Sequence, residues 1–295
     1  LLKQEAKIRI PLHKRPLPFK DKNIEIIPAD LTKPQDCLNV SEGIDYVFHA
    51  AGAVGFAGAS KLDAMQKIIL NLILTSRMLF AAWQAGAERF LILSSSTVYP
   101  AFEHPVKEDE AWSGPVHPSY LGYGWMKRYL EKLAEYTASN SKLKIALLRP
   151  TAVYGPGDNF DPKTCHVIPA LIHRAMAKEN PFVVWGSGNE VRDFIHVADV
   201  ARASLLALER YATCNPVNIG YGKWVTIKEV VGTILKLCGH SKAKINFDCS
   251  KPTAIPVRMV DTAKAKEVLG FQAEISPEEG FKDTIEWYKS HYGKE

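Results

Sequence analysis

The feature that most constrains the fold is an alternation of short apolar runs with longer amphipathic stretches. Runs rich in β-branched residues predict strands at 7–12, 24–29, 44–50, 90–96 and 144–150. Helical periodicity predicts long helices at 63–86, where Gly86 ends the pattern, and at 123–139. Short strands of nearly continuous apolar character, separated by helices, indicate βαβ units around a buried parallel sheet.

The second half of the chain is less regular and richer in Pro, Gly and Asp. It contains predicted helices at 167–178, 226–238 and 277–290 and predicted strands at 216–220 and 244–248. We therefore expect an α/β fold with two parts: a Rossmann-type, doubly wound parallel sheet (the body, 1–150 and 186–225) and a smaller, discontinuous α/β substrate-binding domain (the cap, 151–185 and 226–295). Ligands of such sheets bind at the carboxyl ends of the strands, which predicts a site between body and cap.

One part of a dinucleotide-binding sheet is not found in the sequence. Such a sheet normally opens with a strand and a Gly-rich turn whose backbone approaches the pyrophosphate at a helix N-terminus. Here the opening LLKQEAKIRIPLHKRP is typical of the end of that first helix and of the second strand, and no GxGxxG or GxxGxxG occurs. The first strand and the Gly-rich loop are thus expected to be absent from these 295 residues. We expect about 15–20 residues upstream; the alternative is a truncated nucleotide-binding fold.

Composition argues against several classes of protein. The chain is 46% hydrophobic and 23% charged, as soluble globular proteins are. No run approaches about 18 consecutive apolar residues, and no signal-peptide pattern is present, so a cytoplasmic protein without a membrane anchor is expected. Five scattered cysteines without CxxC spacing fit a reducing compartment and argue against zinc. The formal charge of +5 is not gathered in basic runs, so no nucleic-acid partner is expected.

The strongest chemical pattern is Tyr123-x-x-x-Lys127 on a predicted helix, preceded by Ser95 at the end of a predicted strand. Residues four apart share one helical face, so the ammonium group of Lys127 can lie beside the Tyr123 hydroxyl and favour its ionisation. A phenol with a pKa near 10 serves as an acid or base at neutral pH only if its surroundings shift that pKa. Ser95 would donate a hydrogen bond to a substrate oxygen. The alternative is a surface tyrosine with a solvated lysine.

Four motifs resemble the extended short-chain dehydrogenase/reductases, the NAD-dependent epimerase/dehydratase family: SSSTVYP (94–100), YGWMK (123–127), LRPTAVYGPGDNF (148–160) and WGSGNEVRDFIHVADV (185–200). NFDPKTCHVIPAL, VVWGSG and KPTAIPVRMVD most resemble one group of that family, the GDP-L-fucose synthases, which are epimerase/reductases of GDP-4-keto-6-deoxymannose. The resemblance covers nearly the whole chain apart from the first strand and loop. It implies an NAD(P)-dependent nucleotide-sugar epimerase/oxidoreductase that transfers hydride at C4. It also implies a homodimer formed through helices like 63–86 and 123–139.

The resemblance also assigns catalytic roles. Ser95, Tyr123 and Lys127 occupy the family's catalytic positions, and Tyr123 would protonate the C4 oxygen. The fucose synthases additionally use a histidine, matched by His166, and a cysteine two positions beyond the serine as acid and base for epimerisation at C3 and C5. This chain carries Thr97 at the cysteine position. A threonine hydroxyl has a pKa far above that of a thiol, so Thr97 cannot readily exchange that proton.

Thr97 keeps several alternatives open. A 4-epimerase or plain 4-reductase would leave C3 and C5 untouched. The missing Gly-rich loop, and not Thr97, favours a further alternative, a catalytically silent NAD(P)-binding module, which would need no proton donor. Cys165 stands beside His166 and could be a relocated thiol, but isolated cysteines are usually small buried hydrophobes. His166 is expected to function, with Cys165 as its bystander; otherwise His166 only begins a helix.

The remaining site residues also follow from the resemblance. Asp30 and Leu31 would border the adenine, and Asn71 would support the strand end that lines the cofactor. The cofactor-lining residues also include Ala50, Ala51, Gly52, Tyr123 and Lys127. His13, Lys14 and Arg15 stand where NAD enzymes usually carry an acidic residue for the ribose 2′-OH. A basic cluster favours NADP, with NAD possible; a solvated basic loop is the alternative.

For the nucleotide-diphosphate sugar, arginines are the expected ligands. Arg192 and Arg258 would bind the diphosphate, since guanidinium groups match phosphate oxygens in bidentate fashion. Arg174 and Trp185 would line the sugar-nucleotide pocket. Any of these arginines could instead be a surface residue.

Overall fold

The structure, a computed structural model, describes residues 1–14, 16–17, 19–53, 60–251, 253 and 255–293. The strands are β1 (Ile8–Leu12), β2 (Ile24–Pro28), β3 (Tyr46–His49), β4 (Arg89–Leu93), β5 (Lys144–Pro150), β6 (Ala152–Tyr154), β7 (Phe182–Trp185), β8 (Val191–Arg192), β9 (Phe194–His196), β10 (Val217–Ile219), β11 (Val225–Thr226), β12 (Ile245–Asp248) and β13 (Val257–Arg258). The α-helices are α1 (Pro34–Ser41), α2 (Lys61–Gln84), α3 (Leu121–Asn140), α4 (Val167–Met176), α5 (Val197–Arg210), α6 (Ile227–Leu237) and α7 (Pro277–Tyr292).

The centre of the body is a parallel sheet in the order β10-β5-β4-β3. Its residues alternate between two hydrophobic clusters. Phe90 and Ile92 of β4 pack with α1, α2 and α3, whereas Leu91 between them packs with α5 and the segment 265–271. Because successive residues of a strand point to opposite faces, helices cover both sides of this sheet. The predicted α/β, doubly wound parallel sheet is confirmed.

Strands β1 and β2 form a separate parallel pair. This pair joins the body through Ala29, which follows β2 and packs in the same cluster as α1 and α2. Within the described residues, β1 pairs only with β2, and β3 pairs only with β4.

The cap contains a third apolar cluster, built from α4, α6, α7 and the parallel pair β7–β12. Tyr154 and Phe194, which end β6 and begin β9, pack against Phe281 of α7 within it. Two helices of the cap begin with capping boxes, at Thr226 with Glu229 and at Ser276 with Glu279. These boxes satisfy amide groups that a helix start leaves unpaired. The division into body and cap stays a prediction, and the segment 265–271, assigned to the cap, packs with the body.

Helix α2 meets the length and composition of a membrane-spanning helix, the only one among the described residues to do so. The sequence test missed it because polar residues interrupt its apolar run, so no stretch of consecutive apolar residues reaches the needed length. In the most apolar 18-residue window, 28% of the residues are buried. The helix packs on α1 and α3 with part of its surface only, because large apolar side chains such as Leu62 and Met65 remain exposed.

Candidate active site

The turn that follows β4 carries Ser95 and lies against the first turn of α3. The predicted strand 90–96 ends earlier, at Leu93, because the Oγ of Ser95 accepts a hydrogen bond from the Thr97 amide (3.2 Å) and caps a short 3-10 turn. At Gly124, a Cβ atom would stand 2.5 Å from the Thr97 carbonyl oxygen. The missing side chain therefore lets α3 approach this turn closely, directly beside Tyr123.

Lys127 is hydrogen-bonded to the last residue of β4. Its Nζ donates to the carbonyl oxygen of Leu93 at 2.7 Å and lies 5.7 Å from the centre of the Tyr123 ring. Tyr123 and Lys127 thus share one face of α3 at the carboxyl end of β4, as the spacing predicts. Their catalytic roles stay predictions.

Burial sets the charge state of this group. It raises the pKa of the Tyr123 phenol, so this residue is protonated at neutral pH. It lowers the pKa of Lys127 to about 8, although the carboxylate of Glu131 acts in the opposite direction. His49, at the end of β3, has its pKa lowered to about 4, first by burial and then by the charge of Lys127. A protonated phenol next to an ammonium group is suited to donating a proton rather than accepting one.

Thr97 is 7% exposed, and its hydroxyl has no hydrogen-bond partner among the described residues. His166 lies on another element, at the N-cap position of α4, where it is exposed and its side chain does not cap the helix. The charge of His166 acts on Asp158, whose carboxyl pKa is nevertheless raised by burial. Burial also raises the pKa of the neighbouring Cys165 thiol, which disfavours the thiolate that acid–base work would need.

Arg192 and Arg258 come together. They are register partners in the parallel pair β8–β13, and Arg258 stacks over Tyr120 with 4.1 Å between the guanidinium carbon and the ring centre. Arg192 donates to the carbonyl oxygens of Val191 (2.8 Å) and Pro256 (3.1 Å). Among the described residues, neither guanidinium has a carboxylate within 4 Å. Two adjacent cations without such a partner form a candidate anion site.

A small cleft opens next to Arg258. Its walls join the turn after β4 to the strand that carries the arginine, and they include Ser96, Tyr99, Tyr120, Ile255 and Met259. The cleft therefore runs from Ser96, in the turn after β4, to Arg258. This is where the sequence predicts the substrate, between body and cap.

Arg174 and Trp185 lie away from this cleft lining. Arg174 forms a two-bond ion pair with Glu179 and stacks over Phe182 at 4.7 Å. Trp185 ends β7 and is 46% exposed. Their assignment to the sugar-nucleotide pocket stays a prediction, and Arg174 would have to leave Glu179 to bind a substrate.

The predicted cofactor residues lie at strand ends. Asp30 follows β2, and its carboxylate accepts hydrogen bonds from the amide (2.9 Å) and hydroxyl (2.7 Å) of Thr32. His13 and Lys14 follow β1 and are exposed, with the His13 ring nitrogen 4.0 Å from the Asp30 carboxylate. Leu31 is half-buried and its carbonyl oxygen faces the Cys37 thiol at 3.2 Å. Arg15 lies outside the described residues.

The segment that follows β3 contains the predicted cofactor-lining residues. Ala50, Ala51 and Gly52 are exposed and have little or no side chain, so the backbone is open to a ligand. Asn71 of α2 holds the next residue, Ala53, through hydrogen bonds to its amide (2.9 Å) and carbonyl (2.7 Å). At Gly52, a Cβ atom would stand 2.9 Å from the Asn71 side-chain oxygen, which explains the glycine at this close approach. Asn71 therefore holds the segment after β3 in place, and its part in cofactor binding stays a prediction.

Sequence reasoning missed Glu131, His49 and Tyr120. Glu131 extends the Tyr123–Lys127 spacing by one further turn, a pattern that could have drawn attention to it. His49 immediately precedes the predicted cofactor segment, which is its only sequence signal. Nothing in the sequence marks Tyr120, because its contact with Arg258 joins distant parts of the chain.

Comparison with known proteins places the chain in a family. The profile of the NAD-dependent epimerase/dehydratase family matches residues 2–220. The chain belongs to this family. Its relatives include GDP-L-fucose synthase of Escherichia coli (strain K12), 36% identical over 84% of this chain and 81% of the relative. dTDP-4-dehydro-6-deoxy-D-allose reductase of a Streptomyces species is 32% identical over 85% of this chain and 76% of the relative.

Solved structures agree with this membership. UDP-glucose 4-epimerase of Thermotoga maritima has a TM-score of 0.84 and covers 98% of this chain and 93% of its own, at 24% identity, which shows the shared fold. MoeE5, solved with UDP-glucuronic acid and NAD, has a TM-score of 0.80 at 31% identity and covers 94% of this chain and 89% of its own. As a member of the epimerase/dehydratase family, the chain is an NAD(P)-dependent enzyme, and the predicted family, enzyme class and nicotinamide cofactor are confirmed.

Proposed function

We propose that this chain is a nucleotide-sugar epimerase/reductase that acts at C4 of a 4-keto-6-deoxy hexose, with GDP as the favoured nucleotide. The observation that carries the proposal is the attachment of Lys127 to Leu93, which holds the Tyr123 face of α3 beside the Ser95 turn. The names of the relatives from Escherichia coli and Streptomyces support it, since both act on 6-deoxy sugars attached to nucleoside diphosphates.

The diphosphate would lie against Arg192 and Arg258. Their adjacency in the β8–β13 pair supports this role, because a diphosphate presents two phosphoryl groups side by side. Stacking of Arg258 on Tyr120 keeps its guanidinium plane fixed before a ligand arrives, which lowers the entropic cost of binding.

NADP is the proposed cofactor, with NAD as the other possibility. When bound, the nicotinamide supplies the hydride that C4 receives. Ala50, Ala51, Gly52, Asp30, Leu31 and Lys127 would hold the cofactor. The preference for NADP rests on His13 and Lys14, two exposed basic groups beyond the end of β1 that suit a 2′-phosphate.

Proton transfer at C4 would be the task of Tyr123. Its half-buried phenol has a raised pKa and is protonated, which is the state a donor to the C4 oxygen must have. Ser95 would donate a hydrogen bond to the same oxygen and keep it in place. His166 would exchange a ring proton at C3 or C5, and its exposed position at the start of α4 leaves it accessible to a ligand.

A second candidate is a 4-reductase or 4-epimerase that leaves C3 and C5 unchanged. The buried Thr97 hydroxyl, which has no partner among the described residues, favours it. Threonine lacks the thiol acidity that the resemblance requires at this position, so the second proton-transfer group of a C3/C5 epimerase would be missing.

We also propose a cytoplasmic homodimer joined through α2 and α3. These helices pack closely, since a Cβ atom on Gly122 would stand 2.6 Å from the Cδ1 of Ile68. Both expose large apolar side chains that are between 45% and 70% accessible: Leu62, Met65, Ile69, Phe80, Leu121, Trp125, Tyr129 and Tyr136. A second copy of the same helices would cover this surface. The five free cysteines are in keeping with a reducing compartment.

The direct test offers the enzyme 4-keto-6-deoxy hexoses carried on GDP, UDP, CDP and dTDP, each with NADPH or NADH. Consumption of the reduced cofactor and the product's ring stereochemistry would be followed together. The proposal predicts turnover that is fastest with a GDP sugar and NADPH. No cofactor consumption with any of these sugars would rule it out, and turnover without inversion at C3 or C5 would select the 4-reductase of the second candidate.

A further inference from the structure

A buried carboxylate lies one helical turn beyond Lys127. Glu131 is 6% exposed, and its Oε1 accepts a hydrogen bond from the hydroxyl of Ser94. Arg149 of β5, which is 1% exposed, binds both of its oxygens, with Nε–Oε1 at 3.0 Å and Nη2–Oε2 at 2.7 Å. Glu131 therefore connects α3 with the ends of two neighbouring strands.

Two successive turns of α3 hold the end of β4. Lys127 binds the Leu93 carbonyl, and Glu131 binds the side chain of the next residue, Ser94. Ser95 follows directly. The two bonds together set the distance between Ser95 and the helix face that carries Tyr123.

Arg149, the partner of Glu131, is also held by groups other than this carboxylate. The Nη1 of Arg149 donates to the hydroxyl of Tyr99 (2.9 Å) and to the carbonyl oxygen of Glu108 (2.7 Å). Tyr99 in turn donates to Asn218 at 2.5 Å. All three nitrogens of Arg149 are therefore hydrogen-bonded, and the Glu131 carboxylate has a buried, oriented guanidinium as its partner.

Glu131 is the anion that faces Lys127. The other titratable groups around the Lys127 ammonium are Tyr123 on α3 and His49 on β3, and burial keeps both of them neutral. Burial disfavours the ammonium form, whereas the Glu131 carboxylate favours it. Besides Arg149 and Tyr99, the charge of Glu131 acts on Arg128 of α3 and on Cys214.

We propose that Glu131 is a positioning residue for the proton-transfer group: through Ser94 it keeps Ser95 at a fixed separation from α3, and one turn beyond Lys127 it places the carboxylate that faces the ammonium group. The inference rests on the proposed roles of Ser95, Tyr123 and Lys127. Glu131 does not itself line the cleft, and it acts through Ser94 and Lys127.

The decisive experiment titrates Lys127 directly. Lysine labelled with ¹³C at Cε is introduced into the protein, and the Lys127 signal is identified by its loss in Lys127→Arg. Glu131→Gln removes the charge at nearly constant shape and should lower the Lys127 pKa by about one unit or more. Glu135→Gln, one turn further along α3, removes an exposed carboxylate paired with Lys132 and should leave it unchanged. An unchanged Lys127 pKa in Glu131→Gln would overturn the proposal.

Two further variants distinguish the effect of Glu131 on the position of Ser95 from the effect of its charge on Lys127. They also keep the proposal testable if Glu131→Gln fails to fold, because the Gln variant leaves Arg149 buried without a counterion. Ser94→Ala removes the bond to β4 and keeps the anion, and it should lower kcat at least tenfold without changing the KM or the Lys127 pKa. Glu131→Asp keeps the anion but shortens the reach to Ser94, and it should resemble Ser94→Ala. Wild-type kcat in both would contradict the positioning role.

The outcomes distinguish this inference from the proposed function. The Lys127 titration needs no substrate. If the wild-type protein turned over no nucleotide sugar, the proposed function would fail, and the titration would still decide whether Glu131 holds the charge of Lys127.

Discussion

Arg192 and Arg258 lie side by side on the parallel strands β8 and β13. The guanidinium carbon of Arg258 lies 4.1 Å from the centre of the Tyr120 ring, on which it stacks. Burial lowers the pKa of Arg258, and the charge of Arg192 lowers it further. Two cations held together against their mutual repulsion gain stability when an anion binds between them. Under the proposed function, this pair would link the segment that carries β13 to the substrate diphosphate.

Replacing Arg258 by Gln should weaken substrate binding. Loss of a charged hydrogen-bond donor to phosphate raises the KM for the nucleotide sugar by about 10- to 100-fold with a smaller effect on kcat. Steady-state kinetics at several salt concentrations would measure it. Lys236→Gln, which removes one positive charge from an exposed side chain of α6, should leave the KM unchanged. Equal effects of the two changes would mean that net charge alone attracts the substrate.

Thr97 separates the two candidate reactions. The account predicts that Thr97→Cys incorporates more solvent deuterium at C3 or C5 than the wild type, because a thiol ionises far more readily than a hydroxyl. The Thr97 hydroxyl has no partner among the described residues, so the exchange breaks no described hydrogen bond and the fold should be retained. Mass spectrometry and NMR of the product would locate the label. Thr97→Ser is the matched control, and equal labelling in both variants would dissociate this position from epimerisation.

The exposed apolar surface of α2 and α3 predicts a dimer that a single charge disrupts. Ile69→Glu places a carboxylate in the middle of the α2 surface, where Ile69 is 45% exposed, and should yield a monomer by analytical ultracentrifugation. Trp224→Glu changes a comparably exposed aromatic residue outside these helices and should remain dimeric. A monomeric wild-type protein at micromolar concentration would remove the basis for the proposed interface.

The buried His49 makes the stability of the fold depend on pH. Burial lowers its pKa from 6.5 to about 4, so between these values the unfolded chain binds a proton that the folded chain does not. The contribution of His49 to stability is therefore fully present above pH 6.5. It is lost as the pH falls towards 4, which lowers the free energy of unfolding by about 3 kcal/mol.

Urea denaturation at a series of pH values would test this. His49→Gln should lack that part of the pH dependence. Thr75→Val removes the hydroxyl 3.1 Å from the His49 ring nitrogen but keeps the imidazole, so it should be less stable throughout with the wild-type slope. A wild-type slope in His49→Gln would show that other groups cause the acid sensitivity.

Local spacing made part of the site predictable. Tyr123 and Lys127 are four residues apart on one helix, so their common face follows from helical geometry alone. Glu131 continues the same spacing, but its partners lie 37 and 18 residues away: Ser94 directly follows β4, and Arg149 belongs to β5. Which buried charges pair across a fold depends on tertiary packing, and no local pattern encodes it.

The sequence did not predict the shortest strands, nor which arginine is already paired with a carboxylate of the same chain. Strands such as β8 and β13 have two residues each, too few to show a period of two, although their pairing is what brings Arg192 and Arg258 together. Arg174 was assigned to the substrate by resemblance, and its pairing with Glu179, five residues further on, emerged only from the structure. The long strands and helices of the body were predicted, because their hydrophobic periodicity extends over many residues.

The most direct test of the central claim compares Tyr123→Phe with Tyr129→Phe. Both variants remove one phenolic hydroxyl from α3, but Tyr129 is 59% exposed on the proposed dimer surface. With a GDP-4-keto-6-deoxy hexose and NADPH, Tyr123→Phe should lose at least about a hundredfold in kcat, the usual effect of removing a general acid, while still binding NADPH. Tyr129→Phe should match the wild type. Turnover at the wild-type rate in Tyr123→Phe would contradict the account.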